Sequence, residues 1–208
     1  MPNYLSDPVI KRLPAYYRHL KMLERAGETQ ISSQALAEQM NLTASQIRQD
    51  INCFGGIGRQ GYGYSVSALK DHIGHVLGLD LEHKMIIIGA GNIGQAVALH
   101  GTFERSGFHT VAIFDNDPAK IGTVTKNMTV RSISELKEYI SENHVDIAVI
   151  AVPMQEAQAI VDELYSCGVK GFWNFAPLDL VLPRDASSYN VHLTEGLEVL
   201  SYHMLQKD

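Results

Sequence analysis

A glycine-rich segment in the middle of the chain constrains the fold more than any other feature. The apolar run Met85-Ile86-Ile87-Ile88 leads directly into Gly89-Ala90-Gly91-Asn92-Ile93-Gly94, and a helical pattern follows. In a strand–loop–helix unit this spacing is typical of dinucleotide binding. The first glycine makes a tight turn, the second lets the backbone approach a pyrophosphate, and the third lets the helix pack close to the strand. Amide groups at the helix start then face the anion. The segment predicts a nucleotide site, with a purely structural turn as the alternative.

Asp115 strengthens this prediction, because it ends the next apolar strand and lies 21 residues after Gly94. A carboxylate there accepts hydrogen bonds from the adenosine ribose and repels a 2′-phosphate, which favours NAD(H) over NADP(H). The alternative is a turn residue at a strand end. Two later segments, Ala151-Val152-Pro153 and Asn174-Phe175-Ala176, come where further strands would reach the same crevice. They are candidate nicotinamide contacts, or ordinary strand-to-loop segments punctuated by proline.

The second half of the chain alternates β-branched apolar runs with helical patterns. Strands are predicted at 85–88, 110–114, 145–152 and 169–175, with helices near 92–106, 133–142 and 154–167. This alternation indicates an α/β fold with a Rossmann-type, doubly wound parallel sheet that is covered on both faces. The tail predicts one more amphipathic helix, with four apolar residues on one side: Leu193, Leu197, Leu200 and Met204.

The first 64 residues predict helices followed by a hairpin. A first helix stops at Gly27, and one of its faces carries Leu13, Tyr17, Leu20 and Leu23. Ser33 can cap a second helix over 34–40. Thr43 and Gln46 fit a capping box at the start of a third. Two helices joined by about three residues describe a helix-turn-helix, and the glycine-rich run at 54–64 predicts a tight hairpin, or wing. The domain boundary is expected in the polar segment 78–84.

Charge alone is a weak guide to partners here. The net charge is −6, but residues 1–64 hold seven Lys/Arg against five Asp/Glu, whereas residues 65–208 hold ten against eighteen. The first part is therefore slightly basic, and charge must be considered for each domain separately. On the third helix, the side chains that could reach base edges are Ser45, Gln46, Arg48 and Gln49. Candidate phosphate or minor-groove contacts, each of which could instead be a solvated charge, are Lys11, Arg12, Arg18 and Arg59.

Several functional classes lack support in the sequence. No apolar stretch approaches the ~18 residues of a membrane helix, and the N-terminus is too polar for a secretory signal. Cys53 and Cys167 form no CxxC motif, which suits a reducing cytoplasm. The nine histidines form no metal-binding pair, so no metal is expected, and no GxSxG elbow occurs. A single helix after the sheet leaves no second domain to hold a substrate, so a nucleotide sensor is favoured over an enzyme.

Motifs along nearly the whole chain resemble those of the Rex family of redox-sensing transcriptional repressors. The matching segments are 11–18, 31–33, 36–37, 45–50, 54–55, 61–64, 89–94, 114–118, 120–122 and 174–177. The resemblance implies a homodimer that binds pseudo-palindromic operator DNA and is released by NADH. Each subunit would have a winged-helix DNA-binding domain (1–80), a Rossmann NAD(H)-binding domain (81–190) and a C-terminal helix swapped onto its partner (191–208). It also implies that Gly61 and Tyr62 contact DNA and that Lys120 contacts the cofactor, although Tyr62 and Tyr64 could instead pack the wing against the core.

Two positions depart from the family pattern. His100 stands where the first Rossmann helix of the family usually has Tyr, and His192, next to Leu193, stands where Asp is usual. In the family these positions meet across the dimer and couple NADH binding to the change of shape. A neutral His–His hydrogen bond could do the same; alternatively, two titrating imidazoles make the switch pH-sensitive or weaken it.

Other departures lie near the third helix. Gln49 stands where Lys is common, and Asn52-Cys53 stand where Ser-Tyr is common, so operator preference could differ. Cys53 is predicted to be a buried structural cysteine, with a thiol sensor as the alternative.

Three further functions remain open on the sequence alone. One is a small NAD-dependent oxidoreductase with an N-terminal helical cap, which steady hydride transfer would reveal. Another is a CoA-binding module, against which Asp115 argues and which a titration of CoA against NADH would test. The third is a Rex-like regulator whose NADH response is altered or lost, as His100 and His192 suggest.

Overall fold

The computed structural model describes residues 5–55, 58–59 and 63–206, with the backbone alone described at 58 and 59. It divides the chain into two compact units, Met1–Leu81 and Glu82–Asp208. Each unit buries apolar residues of its own.

The first unit is helical, with a small antiparallel sheet. Its elements are α1 (Asp7–Arg25), β1 (Gln30–Ile31), α2 (Ser33–Met40), α3 (Ala44–Cys53), β2 (Gly58–Arg59), β3 (Gly63–Ser65) and α4 (Val66–Val76). Helix α1 packs against α4 and turns Leu13, Tyr16 and Leu20 into the core at helical spacing. Tyr16, and not the predicted Tyr17, is the fully buried aromatic of this face; Tyr17 is only partly buried.

Helices α2 and α3 form the predicted helix-turn-helix, with caps that differ in part from the prediction. Ser32, and not Ser33, caps α2, because its hydroxyl accepts the N–H three residues on at 3.0 Å. Thr43 caps α3 as predicted, at 3.1 Å from the N–H of Gln46. The reciprocal bond of a capping box does not form, because the Gln46 side chain donates to Asp50 instead.

The glycine-rich run contributes the predicted hairpin. Strand β3 is antiparallel to both β1 and β2 and lies between them. Tyr64, on β3, is buried and packs in the core. Residues 60–62, between β2 and β3, lie outside the described residues, and so do the predicted DNA contacts Gly61 and Tyr62.

The second unit has a mostly parallel sheet between helical layers. Its elements are β4 (His83–Ile88), α5 (Asn92–Leu99), β5 (Phe108–Asp115), β6 (Val124–Thr125), β7 (Met128–Ser132), α6 (Leu136–Glu142), β8 (Ile147–Ile150), α7 (Met154–Ser166), β9 (Gly171–Asn174), β10 (Ser187–Asn190) and α8 (Glu195–Leu205). The strand order is β10-β9-β8-β4-β5-β7-β6. Every neighbouring pair is parallel except β6 with β7. Strands β5 and β7 lie on one side of β4, and the later strands β8, β9 and β10 lie on the other. This reversal of strand order places a crevice beside β4, at the carboxyl ends of the strands.

The four predicted strands are present, and the outer strands of the sheet were missed. Strands β6, β7 and β10 lack a long apolar run; β10 is Ser187-Ser188-Tyr189-Asn190 and is largely exposed. The helix predicted over 92–106 is shorter, because α5 ends at Leu99 and a short 3₁₀ turn follows at Glu104–Ser106.

Helix α8 is exposed along its length in the single chain. Leu197, Leu200 and Met204 of the predicted apolar side are 67%, 53% and 64% exposed. Val199 and Tyr202 are exposed as well, so the apolar residues are not confined to one side. Across the described ranges, no helix is both long and apolar enough to cross a membrane.

Candidate functional site

The glycine loop has the close approaches that its spacing predicts. Gly89 has a φ of +101°, and a side chain there would overlap the carbonyl oxygen of Ala151. A side chain at Gly94 would overlap the carbonyl oxygen of Gly89, so this glycine lets α5 pack against the end of β4. Gly91 instead faces open space, so its backbone, at the start of α5, is accessible to an anion.

A cleft of about 800 Å³ opens at the carboxyl ends of β4, β5 and β8. It falls in the range of nucleotide and cofactor sites, roughly 300–1,000 Å³. The cleft brings together seven of the predicted cofactor residues: Gly89, Gly91, Asp115, Lys120, Ala151, Val152 and Pro153. Asp117, Glu156 and Glu163 add negative charge to its lining. The predicted loop residues Ala90, Asn92 and Ile93 complete the loop and the first turn of α5.

Asp115 is buried and anchors the glycine loop to β5. Its Oδ2 accepts hydrogen bonds from the Ala90 N–H at 2.7 Å and from the Lys120 ammonium at 3.2 Å. Its Oδ1 accepts the Asp117 N–H at 2.8 Å. Burial raises a carboxyl pKa, but the hydrogen bonds from Asp117, Ala90 and Lys120 outweigh it and hold the pKa of Asp115 below its usual value. Because a carboxylate has about four acceptor positions, a ligand hydroxyl still has one available.

Asn174 is occupied by internal hydrogen bonds. Its side chain is buried, exchanges hydrogen bonds with the backbone of Ala176 at 2.9 and 3.3 Å, and donates to Asn190 at 3.1 Å. It therefore joins β9 to β10. Phe175 packs against Trp173 with ring centroids 4.7 Å apart. These hydrogen bonds give the Asn174 side chain a structural role, and the nicotinamide contact of Asn174, Phe175 and Ala176 stays a prediction.

Helix α3 presents a polar stripe to solvent. Ser45, Arg48 and Gln49, three of the predicted base contacts, are exposed, and Asn52 continues the same face one turn later. We call these four residues the α3 stripe; their i, i+3, i+4, i+7 spacing puts them on one side. Gln46 is not part of it, because its side chain turns inward to Asp50 at 2.7 Å.

A buried ionic cluster joins α1 to α3. Asp50 is 1% exposed, and both of its oxygens bind Arg12, from Nε at 2.6 Å and from Nη2 at 2.8 Å. The Tyr16 hydroxyl donates to the same carboxylate at 2.6 Å, as does Gln46. Burial raises the carboxyl pKa, but the hydrogen bonds from Arg12, Tyr16 and Gln46 overcome it and lower the pKa of Asp50. We call these four residues the Asp50 cluster.

The basic side chains predicted to contact DNA differ in whether they already have a partner within the protein. Arg12 has already placed two parallel N–H groups on Asp50, the geometry that would otherwise hold a phosphate. In this structure Arg12 therefore has an internal partner, and its contact with DNA stays a prediction. Lys11 and Arg18 are exposed on α1. The side chain of Arg59 lies outside the described residues.

Two family models match the chain. Residues 4–52 match the model described as "Putative DNA-binding protein N-terminus". Residues 80–178 match the model described as "CoA binding domain". The first match contains α1, α2 and all but the last residue of α3, and the second contains the glycine loop and the cleft.

Complete relatives extend this similarity over nearly the whole chain. The "Redox-sensing transcriptional repressor Rex" of Clostridium botulinum (strain Alaska E43 / Type E3) is 48% identical over 203 residues, which are 98% of this chain and 97% of that protein. The chain belongs to the Rex family. The solved structure of RSP, a Rex-family repressor, in complex with β-NAD+ and operator DNA has a TM-score of 0.93 at 43% identity and covers 98% of this chain and 94% of its own. The solved structure of RSP in complex with β-NADH has a TM-score of 0.90 at 41% identity, and the match covers 98% of this chain and 95% of the RSP chain.

Membership of the Rex family confirms the predicted class of protein. The fold is α/β, with an N-terminal helical domain of the DNA-binding type, a mostly parallel Rossmann-like sheet and a C-terminal helix. The chain is a member of a family of transcriptional repressors, as predicted, and not of a family of oxidoreductases.

His100 and His192, the two predicted departures from the family pattern, lie at element ends. His100 follows α5, is exposed and stacks on Phe103 with ring centroids 4.6 Å apart. His192 precedes α8, with its Nε2 3.4 Å from Asp179 and 4.0 Å from Glu195. Both imidazoles thus have aromatic or acidic neighbours within their own chain, and Leu193 beside His192 is exposed.

Sequence reasoning missed or misplaced two further features. Cys53, predicted to be buried, is exposed at the last residue of α3; this corrects its assignment as a core residue. A second cavity of about 470 Å³ has several aromatic side chains in its lining, among them Phe103, Phe108, Trp173 and Tyr189. These residues are far apart in the sequence, so no local pattern predicts the cavity.

Proposed function

We propose that this Rex-family chain is a repressor that binds operator DNA through the α3 stripe and the wing, and that senses the NADH/NAD+ ratio through the cleft beside Gly89. The observation that supports this most directly is the glycine loop. Gly89 and Gly94 have no room for side chains, whereas Gly91 leaves open space at the start of α5. A pyrophosphate fits such a cradle.

The chain's own residues divide the work of holding the cofactor. The backbone from Gly89 to Gly94 would hold the pyrophosphate, and the remaining acceptor position of Asp115 would take a ribose hydroxyl. Ala151, Val152 and Pro153 would lie on the nicotinamide side. The cofactor supplies a nicotinamide ring that is cationic when oxidised and neutral when reduced. The acidic lining disfavours any additional phosphate, which argues for NAD(H) over NADP(H) and over CoA.

Release requires that the two redox forms favour different shapes of the repressor. A ligand with equal affinity for both shapes shifts nothing. Because the oxidised and reduced cofactors differ only at the nicotinamide, contacts there must carry the discrimination. RSP has been solved with operator DNA together with β-NAD+, and separately with β-NADH, which agrees with this scheme.

A homodimer is the second part of the proposal. The exposed apolar side chains of α8 need a covering surface, and a two-fold dimer would present two α3 helices to a pseudo-palindromic operator. The divisions proposed are 1–80 for DNA, 81–190 for the cofactor and 191–208 for dimerisation. His100, His192 and Leu193 would lie at the subunit contact. Such a repressor acts in the cytoplasm, where its DNA is.

The test uses a duplex enriched by the purified protein from random DNA, with binding followed by fluorescence anisotropy at fixed salt. We expect NADH to weaken binding and NAD+ to leave it intact. Equal binding with both forms contradicts the sensing function, and failure to enrich any sequence contradicts the repressor.

The family model over residues 80–178 gives CoA binding as a second candidate. Calorimetric titration of CoA and NADH into the same protein separates the two. Tight CoA binding without NADH binding would replace the proposed cofactor. A hydride-transfer assay with the same preparation tests the oxidoreductase alternative.

A further inference from the structure

The Asp50 cluster is more elaborate than the packing of a small helical unit requires. Asp50 accepts four hydrogen bonds, two from Arg12, one from Tyr16 and one from Gln46. These bonds use about all the acceptor capacity of a carboxylate. Arg12 and Tyr16 are four residues apart on α1, so they lie on the same face in successive turns of the helix. Both side chains bind the same carboxylate on α3.

The hydrogen bonds to Asp50 are directional, whereas the apolar packing around α3 is not. The neighbouring inward residues of α3, Ile47 and Ile51, are buried in the apolar core. Hydrophobic burial is non-directional, so it constrains the rotation and axial position of a helix less sharply than hydrogen bonds do. A bidentate guanidinium–carboxylate pair with a third bond from a tyrosine hydroxyl fixes both the rotation and the axial position. Asp50 lies next to Gln49 and two residues from Arg48, so its position decides where the α3 stripe points.

We propose that Arg12, Tyr16 and Gln46 act through Asp50 as positioning residues, which set the rotation of α3 so that the α3 stripe meets base edges. On this view Arg12 and Gln46 themselves make no contact with DNA. The inference rests on the proposed DNA binding by α3, and it reassigns two residues whose sequence position suggests phosphate and base contacts.

Salt dependence distinguishes a positioning arginine from a phosphate contact. Each phosphate contact that is lost reduces the slope of log Kobs against log salt concentration by about 0.9. The charge of Arg12 is already paired with Asp50 in the free protein. Replacing Arg12 should therefore leave unchanged the number of counterions that DNA releases when the protein binds. Misplacement of α3 instead weakens the preference for the operator over unrelated DNA.

The experiment compares four variants of the full chain on the enriched duplex and on a scrambled duplex of the same composition, over a range of salt concentrations. Arg12→Gln is paired with Arg18→Gln, the same change at an exposed residue of α1. Tyr16→Phe is paired with Tyr17→Phe, because Tyr17 is the adjacent, partly buried tyrosine of the same helix and packs against the core. Hydrogen exchange of α1 and α3 confirms that each variant is folded at the assay temperature.

Arg12→Gln and Tyr16→Phe are expected to lower the operator-to-scrambled affinity ratio by at least about tenfold, the order of one lost base contact, with an unchanged salt slope. Arg18→Gln should reduce the slope and weaken both duplexes alike, and Tyr17→Phe should do neither. Tyr16→Phe removes one hydroxyl and no charge, so it keeps the test valid if Arg12→Gln is too unstable.

A reduced slope in Arg12→Gln, with the affinity ratio preserved in Tyr16→Phe, overturns the inference and makes Arg12 a phosphate contact. That result leaves the proposed repressor function intact. If the unsubstituted protein does not distinguish the two duplexes, both the inference and the proposed function are wrong.

Discussion

Among the residues that the structure describes, each unit buries one aspartate, and the two are held differently. Asp50 receives its hydrogen bonds from side chains, two of which come from a different helix. Asp115 receives two of its three from backbone N–H groups close to it in the fold, and the third from Lys120, whose side chain is 38% exposed. Asp50 is 1% exposed and Asp115 is 5% exposed. Similar burial thus hides different surroundings.

The difference indicates what each carboxylate is built to do. A carboxylate whose acceptor positions are all filled by side chains fixes the relation between two helices and has nothing left for a ligand. A carboxylate bound by loop N–H groups holds a loop in shape and keeps one side towards a cleft. Burial alone does not distinguish these two aspartates; the origin of their hydrogen-bond donors does.

The largest effect is expected from Asp50→Ala, because it leaves the partly buried Arg12 guanidinium without its partner. The first unit should lose about 3–5 kcal/mol of stability. Hydrogen exchange of α1 and α3 amides measures this loss, and fluorescence of Trp173, the single tryptophan, should show the second unit unaffected. Asp71→Ala is the control, since Asp71 is 71% exposed. Unchanged amide protection would show that apolar packing alone holds α3.

Asp115→Ala should have a smaller effect on stability and a specific effect on the cofactor. Loss of the acceptor leaves the Ala90 N–H unsatisfied, which costs about 1–3 kcal/mol in the second unit. NADH affinity, measured by calorimetry, should fall at least tenfold, because the loop loosens and a ribose contact is lost. Asp162→Ala, an exposed change on α7, serves as the control. NADH affinity equal to that of the unsubstituted protein would mean that Asp115 only supports the loop.

Acid should destabilise both units through these two residues. The pKa of each is lower in the folded protein than in the unfolded chain. Each therefore contributes stability that is present above the unfolded carboxyl pKa and lost as pH falls through the folded pKa. Urea unfolding is measured at pH values from 6 to 3, by helical circular dichroism for Asp50→Asn and by Trp173 fluorescence for Asp115→Asn. In each variant the free energy of unfolding should fall less steeply with decreasing pH than it does in the unsubstituted protein. Identical acid profiles in these variants and the unsubstituted protein would assign the acid sensitivity to other carboxylates.

The smallest effect is expected from Lys120→Met. Lys120 is partly exposed, and ion pairs of that kind contribute less than about 1 kcal/mol. NADH affinity should change by less than about fivefold. Lys137→Met, at a 67% exposed lysine, sets the background. A loss as large as that of Asp115→Ala would show that Lys120 binds the cofactor directly.

Local patterns predicted the parts of the molecule whose geometry depends on neighbours in sequence. The glycine spacing, the strand that ends at Asp115 and the Thr43 cap are patterns of neighbouring residues, so the sequence predicted them. The close approach of Gly89 to Ala151 is known only from the structure. Arg12 and Asp50 are 38 residues apart, and Asn174 is 16 residues from Asn190. A side chain with several possible partners is assigned by packing, so the sequence did not predict the internal hydrogen bonds of Arg12, Gln46 and Asn174.

The sequence by itself predicted that β4 leads into a tight turn open to an anion, because Gly89, Gly91 and Gly94 have the spacing of an anion-binding loop. It also determined where α3 begins, because Thr43 can satisfy the first free N–H groups of that helix only there. The tertiary structure alone decided which donors surround Asp50 and Asp115. Hydrogen bonds form between groups that packing brings within about 3 Å, and the chain brings those groups together only after its apolar faces have been buried.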